Sequence, residues 1–316
     1  MIQNLKLYVT LNGSGSYALK AKLWTRSSTY EASVPVPGTS LKKIKEMKSF
    51  FSSIRPNFTG LNEEDWLNFD KLLEQLAGNN ENAHPAPMLA MSLASARAAT
   101  NNELWKIKGP ANKFPYIIGI AVNGSAWRDF MLIPHRESNI MDAFSTLLEA
   151  WKVVGEELKE RGVLRGRSAS GAWLSDLGDT ETLFLLEHIA RDWNMVLGID
   201  VGASHLWDGK FYDYSKNRSD TIKASLTNGE QMSLLEAVME QYSVAYVEDP
   251  FNKTEFTLHT GLSQKFENTI IAGGDLYELE LSRIKKAHKY RSTKAIAVNP
   301  ENLSTVSQLS RIFDFT

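Results

Sequence analysis

Met195-Val196-Leu197-Gly198-Ile199-Asp200 is an unbroken run of apolar and small residues that stops on a carboxylate. A strand with one face in water alternates apolar and polar side chains, and a strand covered on both faces does not, so this run reads as a buried strand of an α/β sheet. Tyr116-Ile117-Ile118-Gly119-Ile120-Ala121-Val122, Asp129-Phe130-Met131-Leu132-Ile133, Val244-Ala245-Tyr246-Val247-Glu248, Thr269-Ile270-Ile271-Ala272-Gly273-Gly274-Asp275 and Ala295-Ile296-Ala297-Val298-Asn299 repeat the pattern. Helical stretches alternate with them: Ile140 to Lys159, Thr180 to Asp192, Leu234 to Tyr242, Glu255 to Phe266, Leu279 to Tyr290, and one from Ser304. Strands separated by helices predict parallel strands with helices on both faces. From about Phe114 onward the chain is therefore α/β.

Several of these runs end on Asp200, Glu248, Asp275 or Asn299. Ligands bind beyond the carboxyl ends of parallel strands, so acids placed there converge on one mouth. Hard oxygen donors from adjacent strands describe a magnesium site. A single acid after a strand more often caps the next helix. Three on successive strands point to a site without naming a reaction.

The first part of the chain has a different grammar. Tyr17 to Trp24 alternates with the period of a half-buried antiparallel strand, and the turn chemistry of Asn12-Gly13-Ser14-Gly15 before it predicts a hairpin. Helical patterns follow at Leu41 to Phe51 and Glu63 to Leu76, and the Ala-rich run Met88 to Ala99 predicts a buried helix. The polar stretch Gly78 to Pro87 reads as a loop, and the boundary falls between residues 1–112 and 113–316.

The chain has 316 residues, enough for two domains with a sizeable core, and its 35 basic and 37 acidic residues leave a formal charge of −2. That balance, without long single-sign runs, argues against nucleic-acid binding through bulk electrostatics. With no cysteine, disulfides, thiolate nucleophiles and Cys-ligated metals are excluded. The opening MIQNLKLYVT has no signal-peptide pattern, and no stretch approaches a spanning helix. The expectation is a soluble cytoplasmic protein, with no membrane partner.

Ordered motifs along essentially the whole chain resemble the enolases. Leu11-Asn12-Gly13-Ser14-Gly15 is similar to L-D-S-R-G, and Val34-Pro35-Val36-Pro37-Gly38-Thr39-Ser40 to V-P-S-G-A-S-T. Ser92 to Ala99 is similar to S-L-A-V-A-R-A-A, Val122-Asn123-Gly124 to N-G-G, and Asp129 to Pro134 to E-F-M-I-x-P. Ile199 to Ser204 resembles L-D-V-A-A-S, Val247 to Phe251 I-E-D-P-F, Gly274-Asp275-Leu276 D-D-L, and Ala297-Val298-Asn299 K-V-N. The resemblance implies an N-terminal α+β domain on a TIM-type β/α barrel, and dehydration of 2-phosphoglycerate to phosphoenolpyruvate in glycolysis. It also implies two magnesium ions, a lysine base and a glutamate system that assists the leaving hydroxide.

Position by position, that machinery is altered. Asp200 and Glu248 stand at two of the three implied metal ligands, and Gly274 stands at the third with Asp275 beside it. Strand alternation puts 274 and 275 on opposite faces, so Asp275 can serve only if the strand end twists or bulges. Ala297 occupies the position of the lysine, and Lys294 falls on the other face of a regular strand. Ala169, in Arg167-Ser168-Ala169-Ser170-Gly171, replaces the glutamate of G-D-E-G-G. In Arg128-Asp129-Phe130-Met131, the counterpart of Q-E-F-M, Asp129 replaces the glutamate. The lid shrinks to Ser125-Ala126-Trp127 and loses its histidine, while Thr39 or Ser40 keeps the hydroxyl implied for the second metal.

The resemblance further implies two barrel strands and a phosphate-gripping segment beyond Thr316. A six-stranded fragment would expose two parallel edges, so a second copy, a domain swap or another chain is expected to cover them. His205 reads as a loop histidine. Trp127, Trp173 and Trp207 are expected at the mouth, either plugging it or forming a partner site. The basic stretch Arg283 to Arg291 reads as a solvated helix end. Asn217-Arg218-Ser219 matches a glycosylation pattern without a secretion signal to give it meaning.

Two functions follow. In the first, the chain has lost efficient hydratase activity and binds, regulates or assembles, since one lost transition-state donor alone costs about 2.7–4 kcal/mol. In the second, it is a magnesium-dependent lyase, either completed by another chain or using Asp129, Asp200 and Glu248 on a different carboxylate substrate. The small-molecule partner expected in either case is a small phosphorylated carboxylate.

Overall fold

The computed structural model describes residues 1–78, 80, 83–109, 115–135, 139–217 and 222–315. The chain divides into two compact units, Met1–Lys113 with Asn299–Thr316, and Phe114–Val298. The boundary at 112–113, and Arg218 and Ser219 of the glycosylation pattern, lie outside the described residues.

The first unit opens with an antiparallel sheet, β1 (Ile2–Leu11), β2 (Tyr17–Thr25) and β3 (Thr29–Pro35), in that order. The predicted hairpin joins β1 to β2. Its turn forms because the Asn12 carboxamide oxygen accepts the Ser14 and Ser16 amides, and Gly15 adopts φ +79°. Helices α1 (Leu41–Ile54), α2 (Trp66–Ala77) and α3 (Pro85–Ala99) follow. Ser40 caps α1 and Asp65 caps α2. The small side chains of α3 let nearly its whole surface be buried. Thr39 lies in the loop between β3 and α1.

The second unit holds β4 (Gly119–Asn123), β5 (Asp129–Pro134), α4 (Ile140–Glu160), β6 (Leu164–Arg167), β7 (Trp173–Ser175), α5 (Asp179–Asp192) and β8 (Met195–Asp200). It continues with β9 (Tyr212–Asp213), β10 (Ser225–Leu226), α6 (Asn228–Gln241), β11 (Val244–Glu248), α7 (Phe256–Lys265), β12 (Ile270–Gly273), α8 (Leu281–Tyr290) and β13 (Ala295–Ile296). Eight strands form one sheet in the order β13-β12-β11-β8-β5-β4-β7-β6. The six apolar runs thus become eight strands, because β6 and β7 are too short and polar to register as runs.

The expectation of uniformly parallel strands fails at β5, which is antiparallel to both β4 and β8. The link from β4 to β5 is Gly124 to Arg128, far shorter than the dozen or more residues a parallel crossover requires. β6 also runs antiparallel to β7, whereas β4–β7, β8–β11, β11–β12 and β12–β13 are parallel. The reversal of β5 brings its first residue to the carboxyl ends of β8 and β11. Asp129 is the register partner of Asp200, and Asp200 of Glu248.

The last helix, α9 (Val306–Phe315), belongs to the first unit and not to a domain spanning 113–316. Polar groups of α2 and α3 satisfy its first turn. Ser92 Oγ accepts the Val306 amide at 2.8 Å and Asp70 Oδ2 the Ser307 amide at 2.9 Å, while the Thr305 hydroxyl donates to Glu74 at 2.7 Å. Orphan amides at a helix start favour such acceptors.

Among the described residues no helix is long and apolar enough to cross a membrane.

Candidate functional site

Register carries Asp129, Asp200 and Glu248 into one row at one end of the sheet. The next residue, Asp249, turns out of the strand with φ +44°. One oxygen each from Asp200, Glu248 and Asp249 lies within 4.8 Å of the others. Sequence reasoning named the first two and missed Asp249, which the motif Val247-Glu248-Asp249-Pro250-Phe251 contains in plain view.

The three acids differ in how they are satisfied. Asp249 is fully buried and accepts the amides of Gly274 at 3.0 Å, Asp275 at 2.7 Å and Leu276 at 3.2 Å, so it shapes the turn after β12. Burial pushes its pKa up, and those three amides pull against the rise. Glu248 accepts the Tyr246 hydroxyl at 2.6 Å. Its pKa is raised by burial, with the tyrosine opposing. Asp200 is 8% exposed, and its Oδ1 is buried with no hydrogen-bond partner. Burial first, and Glu248 second, push the Asp200 pKa up to about 8. A buried oxygen without a donor, next to a second carboxylate, needs a proton or a cation.

That orphaned oxygen decides the fit of a divalent cation. Asp200 and Glu248 present hard oxygens to one point, so the residues present fit the group on those two strands. Asp275 is drawn elsewhere, because its Oδ2 pairs with the Arg128 guanidinium at 2.7 Å. Asp129 accepts the Asn123 side-chain amide and is raised in pKa by burial. Thr39 belongs to the first unit.

The positions that resemblance marks as third ligand and base do face one another. A Cβ added to Gly274 would stand 3.1 Å from Glu248 Oε1 and 3.4 Å from the Cβ of Ala297. Lys294 points away, as strand alternation requires, and donates to the carbonyls of Phe266, Glu267 and Thr269. Ala169 is exposed in the turn between β6 and β7, where the Gly171 amide bonds Ser168.

The loop Ser125-Ala126-Trp127 is organised by a residue no motif flagged. Asp179, fully buried at the start of α5, accepts the amides of Ser125 at 2.7 Å, Ala126 at 3.1 Å and Trp127 at 3.2 Å. The ring of His205 lies against the carbonyls of Ala126 and Gly202, which makes it a brace. The three tryptophans do not plug the mouth together. Trp127 is buried and donates to the Tyr214 hydroxyl at 2.9 Å, and Trp207 packs on Tyr212. Trp173 stacks on Trp151 of α4 at 4.3 Å.

The family model described as enolase, C-terminal TIM barrel domain, matches residues 119–311. This chain belongs to the enolase family. An enolase of Pyrobaculum aerophilum is 27% identical to it over 82% of the chain and 66% of that relative's length. Enolases of Methanocorpusculum labreanum and Methanosphaera stadtmanae are each 23% identical over 97% of the chain, and the match spans 83% and 82% of their lengths. The chain thus spans just under two thirds of the first of these enolases. Within the family match lie every acid of the mouth and also Gly274 and Ala297.

Proposed function

We propose that this enolase-family chain binds a divalent cation and a small carboxylate, phosphorylated or not, at the mouth formed by β8 and β11. It then acts as a binding, regulatory or assembly protein and not as an efficient phosphopyruvate hydratase. The observation that supports this most is Ala297, whose methyl group stands 3.4 Å from a Cβ built on Gly274, at the position where the resemblance implies the base. A general base must come within about 2.6–3.2 Å of the proton it removes, and a methyl group accepts none. Lys294 is committed to three carbonyls, and Lys253 to Glu278 at 2.6 Å.

Asp200 and Glu248 would hold the cation, which when bound neutralises a ligand carboxylate and stabilises charge developing on it. Tyr246 orients Glu248 by donating to it. Asp249 keeps the β12 turn in place, and Asp129, short and held by Asn123, would orient a ligand hydroxyl. A cytoplasmic location suits a protein that handles small phosphorylated acids. The end strands β6 and β13 are each paired on one side only among the described residues, which supports contact with a second copy or another chain.

The test uses purified protein with magnesium and 2-phosphoglycerate, following phosphoenolpyruvate by absorbance and melting temperature in parallel. The expected result is a ligand-dependent rise in melting temperature without turnover. Turnover at about 1 s⁻¹ or faster, the range of working enzymes, overturns the proposal. Turnover that appears only after a second chain is added supports a lyase completed in trans.

A further inference from the structure

We propose that Arg128 is a built-in cation of this mouth, admitted by Gly202, and that it competes with a divalent ion for the carboxylates, so the chain holds magnesium more weakly than its acids alone would. The inference rests on the reading of Asp200 and Glu248 as the cation-binding pair.

Arg128 immediately precedes β5, and its backbone amide donates to the Asp200 carbonyl at 3.0 Å. Its side chain therefore starts at the acidic end of the sheet. The guanidinium reaches Asp275 with both terminal nitrogens, at 2.7 and 3.4 Å. Burial works against its charge, yet Asp275, Asp200 and Asp249 outweigh that effect. Glu248 and Asp129 feel the same charge. A guanidinium stays charged at any working pH, so this cation cannot be removed by deprotonation.

The space for it has a visible cause. Gly202 follows β8 in the left-handed region, with φ +53°, and a Cβ there would overlap Nε and Cδ of Arg128. At both positions the chain departs from motifs it resembles, arginine standing for glutamine in Q-E-F-M and glycine for alanine in L-D-V-A-A-S. The stem is braced from both sides. Asp179 holds the three residues before Arg128, and His205 links the Gly202 and Ala126 carbonyls. A fixed positive charge among carboxylates lowers the field that attracts a second cation, and pairing with Asp275 withholds that acid from it.

The experiment is a magnesium chloride titration at constant pH and ionic strength, read by calorimetry and by melting temperature. It compares the full chain with Arg128→Gln, Arg128→Lys and Gly202→Ala, and uses Asp200→Asn as the site control. Removing the charge should tighten magnesium binding by at least about tenfold, whereas Arg128→Lys, which keeps it, should stay within about threefold of the parent. Gly202→Ala keeps the charge but takes the space, so it should move toward Arg128→Gln. Should Arg128→Gln fail to fold, Gly202→Ala and Arg128→Lys still decide the matter. Equal affinities in the parent, Arg128→Gln and Gly202→Ala overturn the inference and leave the cation site standing. A magnesium response that survives unchanged in Asp200→Asn overturns the cation site and this inference with it.

Discussion

A Cβ on Gly274 would stand 3.4 Å from the Cβ of Ala297, so the residues just beyond the neighbouring strands β12 and β13 lie side by side at the acidic end of the sheet. The same Cβ would meet Glu248 Oε1 and Asp249 Oδ2 at 3.1 Å each. Gly274→Asp therefore adds a fourth carboxylate to the cluster of Asp200, Glu248 and Asp249, at a crowded point. Without metal, crowding and like charge should lower stability by about 1–3 kcal/mol. With magnesium the order should reverse, and melting curves with and without the ion check both halves. A variant stabilised in the absence of metal would contradict this placement.

Asp200 sets the sign of a pH dependence. Its pKa in the fold is pushed up to about 8 from an ordinary 3.8, so the folded state binds more protons than the unfolded chain between those values. The Asp200 contribution to stability therefore falls as pH rises from about 4 to about 8, by at most about 1.4 kcal/mol per pH unit. In metal-free protein Asp200→Asn should flatten that slope and raise stability at pH 8. Denaturant midpoints of parent and variant at pH 5, 6, 7 and 8 measure it, and the same slope in both would refute the assignment.

The outline of this fold and half of its candidate site were legible from residue pattern alone. Apolar runs marked β8, β11 and β12 because strands buried on both faces leave no alternation to confuse, and Asp200 and Glu248 were legible as their ends. The reversal of β5 was written in the brevity of Gly124 to Arg128, but run-counting ignores connection length. β6 and β7 were missed because Leu164-Arg165-Gly166-Arg167 and Trp173-Leu174-Ser175 carry no periodic signal. Asp275 was named and Asp249 overlooked because strand ends suggest direction and not partners. Only the Arg128 pair and the three amides on Asp249 separate their roles. Asp179 stands at a helix start, where an acid is ordinary, and its grip on a loop some fifty residues earlier has no local signature.

That grip makes Asp179 a stability determinant. Three amides of Ser125-Ala126-Trp127 would lose a fully buried carboxyl acceptor. Asp179→Ala should cost about 2–4 kcal/mol, and Asp179→Asn, which keeps one acceptor oxygen, should cost less. Chemical denaturation ranks the two. Equal losses would mean that packing around α5, and not the amide contacts, is what the residue supplies.

Gly155, inside α4, sets two known effects against each other. Alanine is favoured over glycine in a helix interior by about 1 kcal/mol. A Cβ at 155, however, would overlap the indole of Trp173, which is stacked on Trp151 with its Nε1 donating to the Trp151 carbonyl at 2.8 Å. Overpacking of that kind costs about 1–3 kcal/mol, so Gly155→Ala should destabilise the protein and shift its tryptophan fluorescence. In a Trp173→Ala background the obstacle is gone and only helix propensity remains. There the same Gly155→Ala change should stabilise, and this change of sign across the double-mutant cycle separates side-chain crowding from any intrinsic need for glycine at that turn.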